Sequence, residues 1–170
     1  MAPASPTAPT AAEDSATVVF VRPSEFGGAD RVMIIDGKGR FLGETMPATH
    51  FATKVPAGEH LFISWGENTS AVKATLVEGK VYYVQVTAPN GPRTPFVYLE
   101  AATVHSPTYG QVDNWLAKTQ PLAPDEAKGQ AHLEADAGGV ARAIARGNRV
   151  VAEYDANELA THTLTADDGK

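Results

Sequence analysis

Between residues 17 and 104 apolar and polar positions alternate in short runs, broken by Gly, Pro and Asn at near-regular intervals. That pattern predicts about eight short strands packed as an all-β sandwich or barrel. Thr17-Val18-Val19-Phe20-Val21 is apolar on both faces, so it is expected at the centre of a sheet, with Pro23 ending its ladder. Residues 31–35 and 40–43 flank Asp36-Gly37-Lys38-Gly39, whose Asp-Gly dipeptide suits a tight hairpin. Two more hairpins are expected, one joining 49–55 to 59–65 at Pro56-Ala57-Gly58 and one joining 71–77 to 80–87 at Glu78-Gly79. In the latter, alternation sets Val72, Ala74 and Leu76 opposite Lys73 and Thr75, and Tyr82, Val84 and Val86 opposite Tyr83, Gln85 and Thr87. Asn90-Gly91-Pro92 then turns the chain into a last strand over 95–104.

After Ser106-Pro107 the apolar period lengthens from two to three or four. Tyr109, Val112, Trp115 and Leu116 make one stripe on a helix that ends before Pro121 and should pack on the sheet. Pro124-Asp125-Glu126 opens a long amphipathic helix in which Leu133, Ala137, Val140, Ile144 and Val151 recur at helical spacing, with Arg142, Arg146 and Arg149 around them. Gly138-Gly139 costs about 1 kcal/mol per glycine relative to alanine, which marks that pair as the place for a kink or a break. The fold class expected is mainly β: an antiparallel β-sandwich with C-terminal α-helices packed on or beside it. Its organisation reads as a disordered Ala/Pro/Thr-rich tether (1–15), a β-sandwich domain (16–105), a helical extension (106–160) and a flexible tail (161–170).

The chain has 170 residues, 43% of them hydrophobic, enough for one ordinary domain. A formal net charge of −6 without any basic run disfavours nucleic acid and anionic membrane surfaces as partners. The absence of cysteine excludes disulfides, thiolate metal sites and cysteine nucleophiles, and leaves the redox compartment open. No run approaches the ~20 apolar residues of a transmembrane helix, and the first fifteen residues lack the basic start and apolar stretch of a signal peptide. A Pro/Ala/Thr tether directly after Met1 is what an exported protein retains once its signal is removed, and equally what a naturally disordered terminus of a cytoplasmic protein looks like.

Candidate chemistry is sparse. Tyr83, pointing outward beside Trp65 and Tyr98, would offer a stacking platform for sugar or peptide if the three rings shared an exposed face. The stripe Leu133, Val140, Ile144 and Val151 is core if its helix folds back, which is the expected arrangement, and a surface for a partner or for self-association if it projects. Across the expected 56–58 hairpin His60 would sit opposite Thr53, with His50 on the other face, and His105, His132 and His162 have no close-spaced partner, so no metal site is expected. No Gly-x-Ser-x-Gly elbow orders a Ser/His/Asp triad. Asp125 and Glu126 suit a helix start, Asp167 and Asp168 a solvated tail, Gly27-Gly28 a polar loop rather than a phosphate cradle, and Asn68-Thr69-Ser70 a turn between strands. No cofactor is expected.

The succession Val18-Val19-Phe20-Val21-Arg22-Pro23-Ser24, Asp36-Gly37, Leu42-Gly43, Val55-Pro56-Ala57-Gly58-Glu59-His60 and Gly79-Lys80-Val81-Tyr82-Tyr83-Val84 resembles an uncharacterised domain of bacterial envelope lipoproteins. That domain is itself similar to transthyretin-like and carboxypeptidase-regulatory-like β-sandwiches. The resemblance covers residues 16–104 and implies a periplasmic or cell-surface domain of no known activity, held by a lipid on an N-terminal cysteine. This chain has no such cysteine, so an anchor is expected only if the native start lies upstream of Met1. The function expected is a non-catalytic interaction or scaffold domain of the envelope, with an envelope protein or a second copy as partner. A carbohydrate- or peptide-binding module is the alternative, and an enzyme assembled from remote residues a further one.

Overall fold

The computed structural model describes residues 2–3, 14–25, 31–65, 68–88 and 96–170. In chain order the strands are β1 (Ala2–Pro3), β2 (Ala16–Arg22), β3 (Val32–Asp36), β4 (Phe41–Thr45), β5 (Thr49–Val55), β6 (Gly58–Trp65), β7 (Thr69–Leu76), β8 (Val81–Thr87) and β9 (Tyr98–Ala101). A 3-10 turn over Pro107–Gln111 leads into helix α1 (Val112–Lys118), followed by β10 (Gln120–Ala123), α2 (Glu126–Ala135), α3 (Ala137–Glu153), α4 (Ala156–Thr161) and β11 (Thr163–Leu164). One sheet runs β1-β10-β5-β2-β8-β9 and the other β11-β7-β6-β3-β4. The chain is therefore mainly β with helices, as its periodicity predicts, but neither sheet is purely antiparallel. β2 pairs with β8, β5 with β10 and β7 with β11 in parallel.

The reason lies at two corners. Residues 56–58 and 78–79 do not close hairpins: β5 belongs to one sheet and β6 to the other, and the same holds for β8 and β7. Gly58 (φ 115°) and Gly79 (φ 78°) take backbone conformations that residues with a Cβ rarely adopt, so the chain can leave one sheet and enter the other within a few residues. The true neighbour of β6 is β7, joined across residues 66–68, and β2 lies between β5 and β8, buried at all seven positions. The β3–β4 hairpin forms as expected, its turn fixed by Asp36, whose Oδ1 accepts the N–H groups of Lys38 and Arg40.

Between the sheets lies one apolar cluster to which both contribute, including Val18, Phe20, Phe51, Tyr82 and Val84 from the first and Ile34, Leu42, Phe62, Val72 and Leu76 from the second. Phe20 stacks on Phe51 (centroids 5.1 Å apart) and meets Phe62 edge-on (5.5 Å). Each of these buried rings contributes roughly 2 to 3 kcal/mol. The opposite faces are covered by helices. On the six-stranded sheet, Val19, Val21, Val81 and Tyr83 pack against Val112 and Trp115 of α1. On the five-stranded sheet, Ile35, Phe41, Ile63 and Ala71 pack against Leu133, Val140 and Ala143, with Ile144 and Val151 alongside.

The helical region departs from expectation in two ways. It breaks two residues before Gly138-Gly139, at Asp136, which caps α3 by accepting the N–H of Gly139. It is also not a separate extension, because β10 joins one sheet and β11 the other. The tail expected to fray is packed instead: Leu164 is fully buried in the inter-sheet core, and the amide and carbonyl of Lys170 both bond to Val81. Asp168, 2% exposed, accepts from Val104 N–H at 2.8 Å, Thr165 N–H at 2.7 Å and the Thr165 hydroxyl at 3.2 Å. An acid that the sequence suggests is solvated thus ties the C-terminus to the segment after β9. The expected tether falls mostly outside the described residues, as do Gly27-Gly28 and Asn90-Gly91-Pro92; Ala2 and Pro3 pair with Ala123 and Leu122.

His50 joins β5 to α1. Its Nδ1 lies 2.7 Å from Thr119 Oγ1, which donates its own proton to the Trp115 carbonyl at 2.7 Å, so Nδ1 is the donor. Burial pushes the imidazole below its ordinary value of 6.5. A depressed histidine binds its proton more readily unfolded than folded, so stability is full above pH 6.5 and is lost as pH falls below it toward the folded value. Denaturant midpoints measured from pH 7.5 down to 5 are expected to fall in the wild type and to fall less in His50→Gln. Asp168→Ala, which strands two N–H donors, is expected to cost about 3 kcal/mol in the same assay, with Asp168→Asn costing less.

Candidate functional site

The pairing register lines up Glu44 of β4, Met33 of β3 and Trp65 of β6 as direct cross-strand neighbours. They lie on the face that carries the α2–α3 cover, where Met33 and Trp65 pack against the cluster beneath those helices. The cover is incomplete above this row because α2, with sequence EAKGQAHLEA, offers one large apolar residue, Leu133. The helix reaches the sheet through Leu133 and Gly129, the latter so close to the Phe41 ring that a side chain there would overlap it. Asp125, Lys128, Gly129 and His132, spaced i, i+3, i+4 and i+7, form its face toward the sheet row.

Between row and helix lies an open cleft of about 510 Å³, within the range of about 300–1,000 Å³ common for small-molecule sites. Its floor is Met33, Phe41 and Trp65. The His132 ring sits over the Trp65 side, centroids 5.7 Å apart and tilted by 58°. One wall is the Arg31–Glu44 ion pair at 3.3 Å, with Glu44 the better shielded member (13% side-chain exposure against 61%). On the other wall Asp125 caps α2 by accepting the Lys128 N–H at 3.1 Å, as suits a helix start.

The three rings suggested by the sequence are not brought together. Trp65 lies on the outer face of the five-stranded sheet, whereas Tyr83 and Tyr98 belong to the six-stranded one. Tyr83, 7% exposed, is packed with α1, and its hydroxyl is pushed up by burial, then by the charge of Asp113 and by Tyr109. The Lys170 ammonium lies 5.6 Å from its ring centroid and 4.5 Å from that of Tyr109. Tyr98, 48% exposed, stands opposite Thr87, four residues along β8 from Tyr83 and so roughly 13 Å away at 3.3 Å per residue. The stripe proposed for a partner is internal: Leu133 and Val140 are buried, and Ile144 and Val151 pack on the same cluster.

His50 and His60 lie on different sheets, with His60 opposite Ala74 and Thr53 opposite Val18, which replaces the pairing expected from a 56–58 hairpin. Among the described residues no group of three or more His, Asp or Glu side chains is placed to hold a metal ion. A second cleft, about 680 Å³, lies between the 36–40 turn, Lys73 and the end of α3. Its Asp36 is committed to the turn and its His60 Nε2 donates to the Pro56 carbonyl at 2.6 Å.

The partners of Trp65 in the first cleft are not legible in the sequence. The spacing of Asp125, Lys128 and His132 is a legible helical stripe, but only the fold shows which surface it faces. Comparison with known proteins finds no match to this chain among family models, curated proteins or solved structures. Because Gly129 sets how closely α2 approaches Phe41, Gly129→Ala is expected to lower stability by about 1–3 kcal/mol through overpacking and to raise the accessibility of Trp65 to a fluorescence quencher.

Proposed function

We propose that this chain is a non-catalytic binding domain: a sandwich of two β-sheets serving as a rigid platform, with its site in the cleft between the Glu44–Met33–Trp65 row and α2. The observation that carries the reading is the partly covered Trp65 ring, which shares a concave surface with polar side chains of two elements. Pockets with an apolar floor and a few placed polar groups are the usual form of small-ligand sites. The interaction role expected of the C-terminal helices is assigned instead to the polar face of α2 rather than to the stripe Leu133, Val140, Ile144 and Val151. The envelope setting belongs to the same proposal and rests on the motifs that carry the lipoprotein-domain resemblance.

Amide and indole shifts recorded while a library of small polar and aromatic fragments is added test the site. Shifts are expected to concentrate at Trp65, Lys128 and His132; shifts centred on Tyr98 and α1, or none anywhere, would overturn the assignment.

A further inference from the structure

We infer that the cleft takes a neutral saccharide, an inference that rests on the binding reading above. The flat Trp65 ring beside Met33 matches the C–H face of a pyranose, whose weakly positive hydrogens complement the negative face of an indole.

The rim sets the charge of the occupant. Among the described residues, Arg31 and Lys128 are offset by Glu44 and Asp125, two cations against two carboxylates around one opening. A nucleotide or a sugar acid meets as much repulsion as attraction there, whereas a neutral polyol finds donors in the cations and acceptors in the carboxylates. The Arg31–Glu44 pair and the Asp125 cap hold three of these groups in place before any ligand arrives.

The edges argue against the competing occupant, an extended peptide. Such a ligand adds a strand by pairing with free backbone groups. Beside the cleft the edge strand β4 has the N–H of Phe41 donated to Gln130 Oε1 of α2. At β9 the side chain of Asn68 takes both the N–H and the carbonyl of Val97, each at 2.7 Å, and Ser70 Oγ accepts the Leu99 N–H at 2.9 Å. Side chains thus occupy backbone positions that a guest strand would need on β4 and at β9, two of the four strands that end the sheets.

The test is saturation-transfer NMR and calorimetry on the full chain with maltotriose, cellotriose and chitotriose as neutral probes and trigalacturonate as the acidic one. At least one neutral trisaccharide is expected to bind, with trigalacturonate weaker. Trp65→Ala is expected to weaken the neutral ligand by about tenfold or more, and Trp65→Phe to retain most of the binding. His132→Ala, at an exposed position, serves as a second variant should Trp65→Ala fail to fold, and is expected to weaken the neutral ligand too. Failure of all neutral probes at millimolar concentration, equal or tighter binding of trigalacturonate, or neutral binding indifferent to both variants would overturn the inference. Fragment shifts at the cleft with no saccharide binding would overturn the saccharide alone; the absence of both would remove the binding site as well.

Discussion

The packing of Phe20, Phe51 and Phe62 between the two sheets is the contact on which the rest of the molecule depends. Phe20 belongs to β2, which is buried on both faces, so the strand that anchors the inter-sheet core also presents Val19 and Val21 to α1. With the inner faces matched in this way, each sheet has one outer face left to cover. Trp115 and Val112 cover one, and Leu133, Val140 and Ala143 cover the other. The cleft forms where that second cover runs out of apolar side chains, along α2. It is a consequence of which residues α2 lacks as much as of those it carries.

Much of this is legible in the sequence because the signal is local. The two-faced apolar run 17–21, the alternation of Val72 and Leu76 with Lys73 and Thr75, the Asp36-Gly37 turn and the stripe on α1 depend only on period and turn chemistry, and the structure keeps them. The 56–58 and 78–79 corners look like hairpins in the sequence because alternation cannot tell a hairpin from a crossing. In both arrangements Val55, Leu76 and Tyr82 point into the same core, and only the pairing partner changes. Gly58 and Gly79 fit either reading, since each supplies a positive φ without saying in which direction the chain leaves.

The tail and the helix break were hidden for a different reason. Asp168 looks solvated in sequence because its partners, Val104 N–H and the Thr165 groups, are backbone and hydroxyl donors with no charge to betray them. Asp136 outweighs Gly138-Gly139 as the break because it supplies a cap, whereas the glycines only weaken the helix. The cleft lies furthest from sequence reasoning, since it joins residues of β3, β4 and β6 to a helix begun some sixty residues after Trp65. Trp65 is legible in the sequence, whereas only the fold brings its companions to it. Tyr83 and Tyr98 took their place in the expectation because they share its chemistry, although not its sheet.

The site depends on α2 lying over the outer face of the five-stranded sheet, since without that contact there is neither a core for Leu133 nor a wall for the cleft. The most direct measurement is a nuclear Overhauser spectrum resolved for the two tryptophans. Cross-peaks between the Trp65 indole and the His132 ring, together with contacts from Leu133 to Phe41, are the predicted result. A Trp65 indole with no contact to α2, while Trp115 keeps its contacts to the strand β2, would contradict the account, because the sheets would then stand without the helix that builds the site.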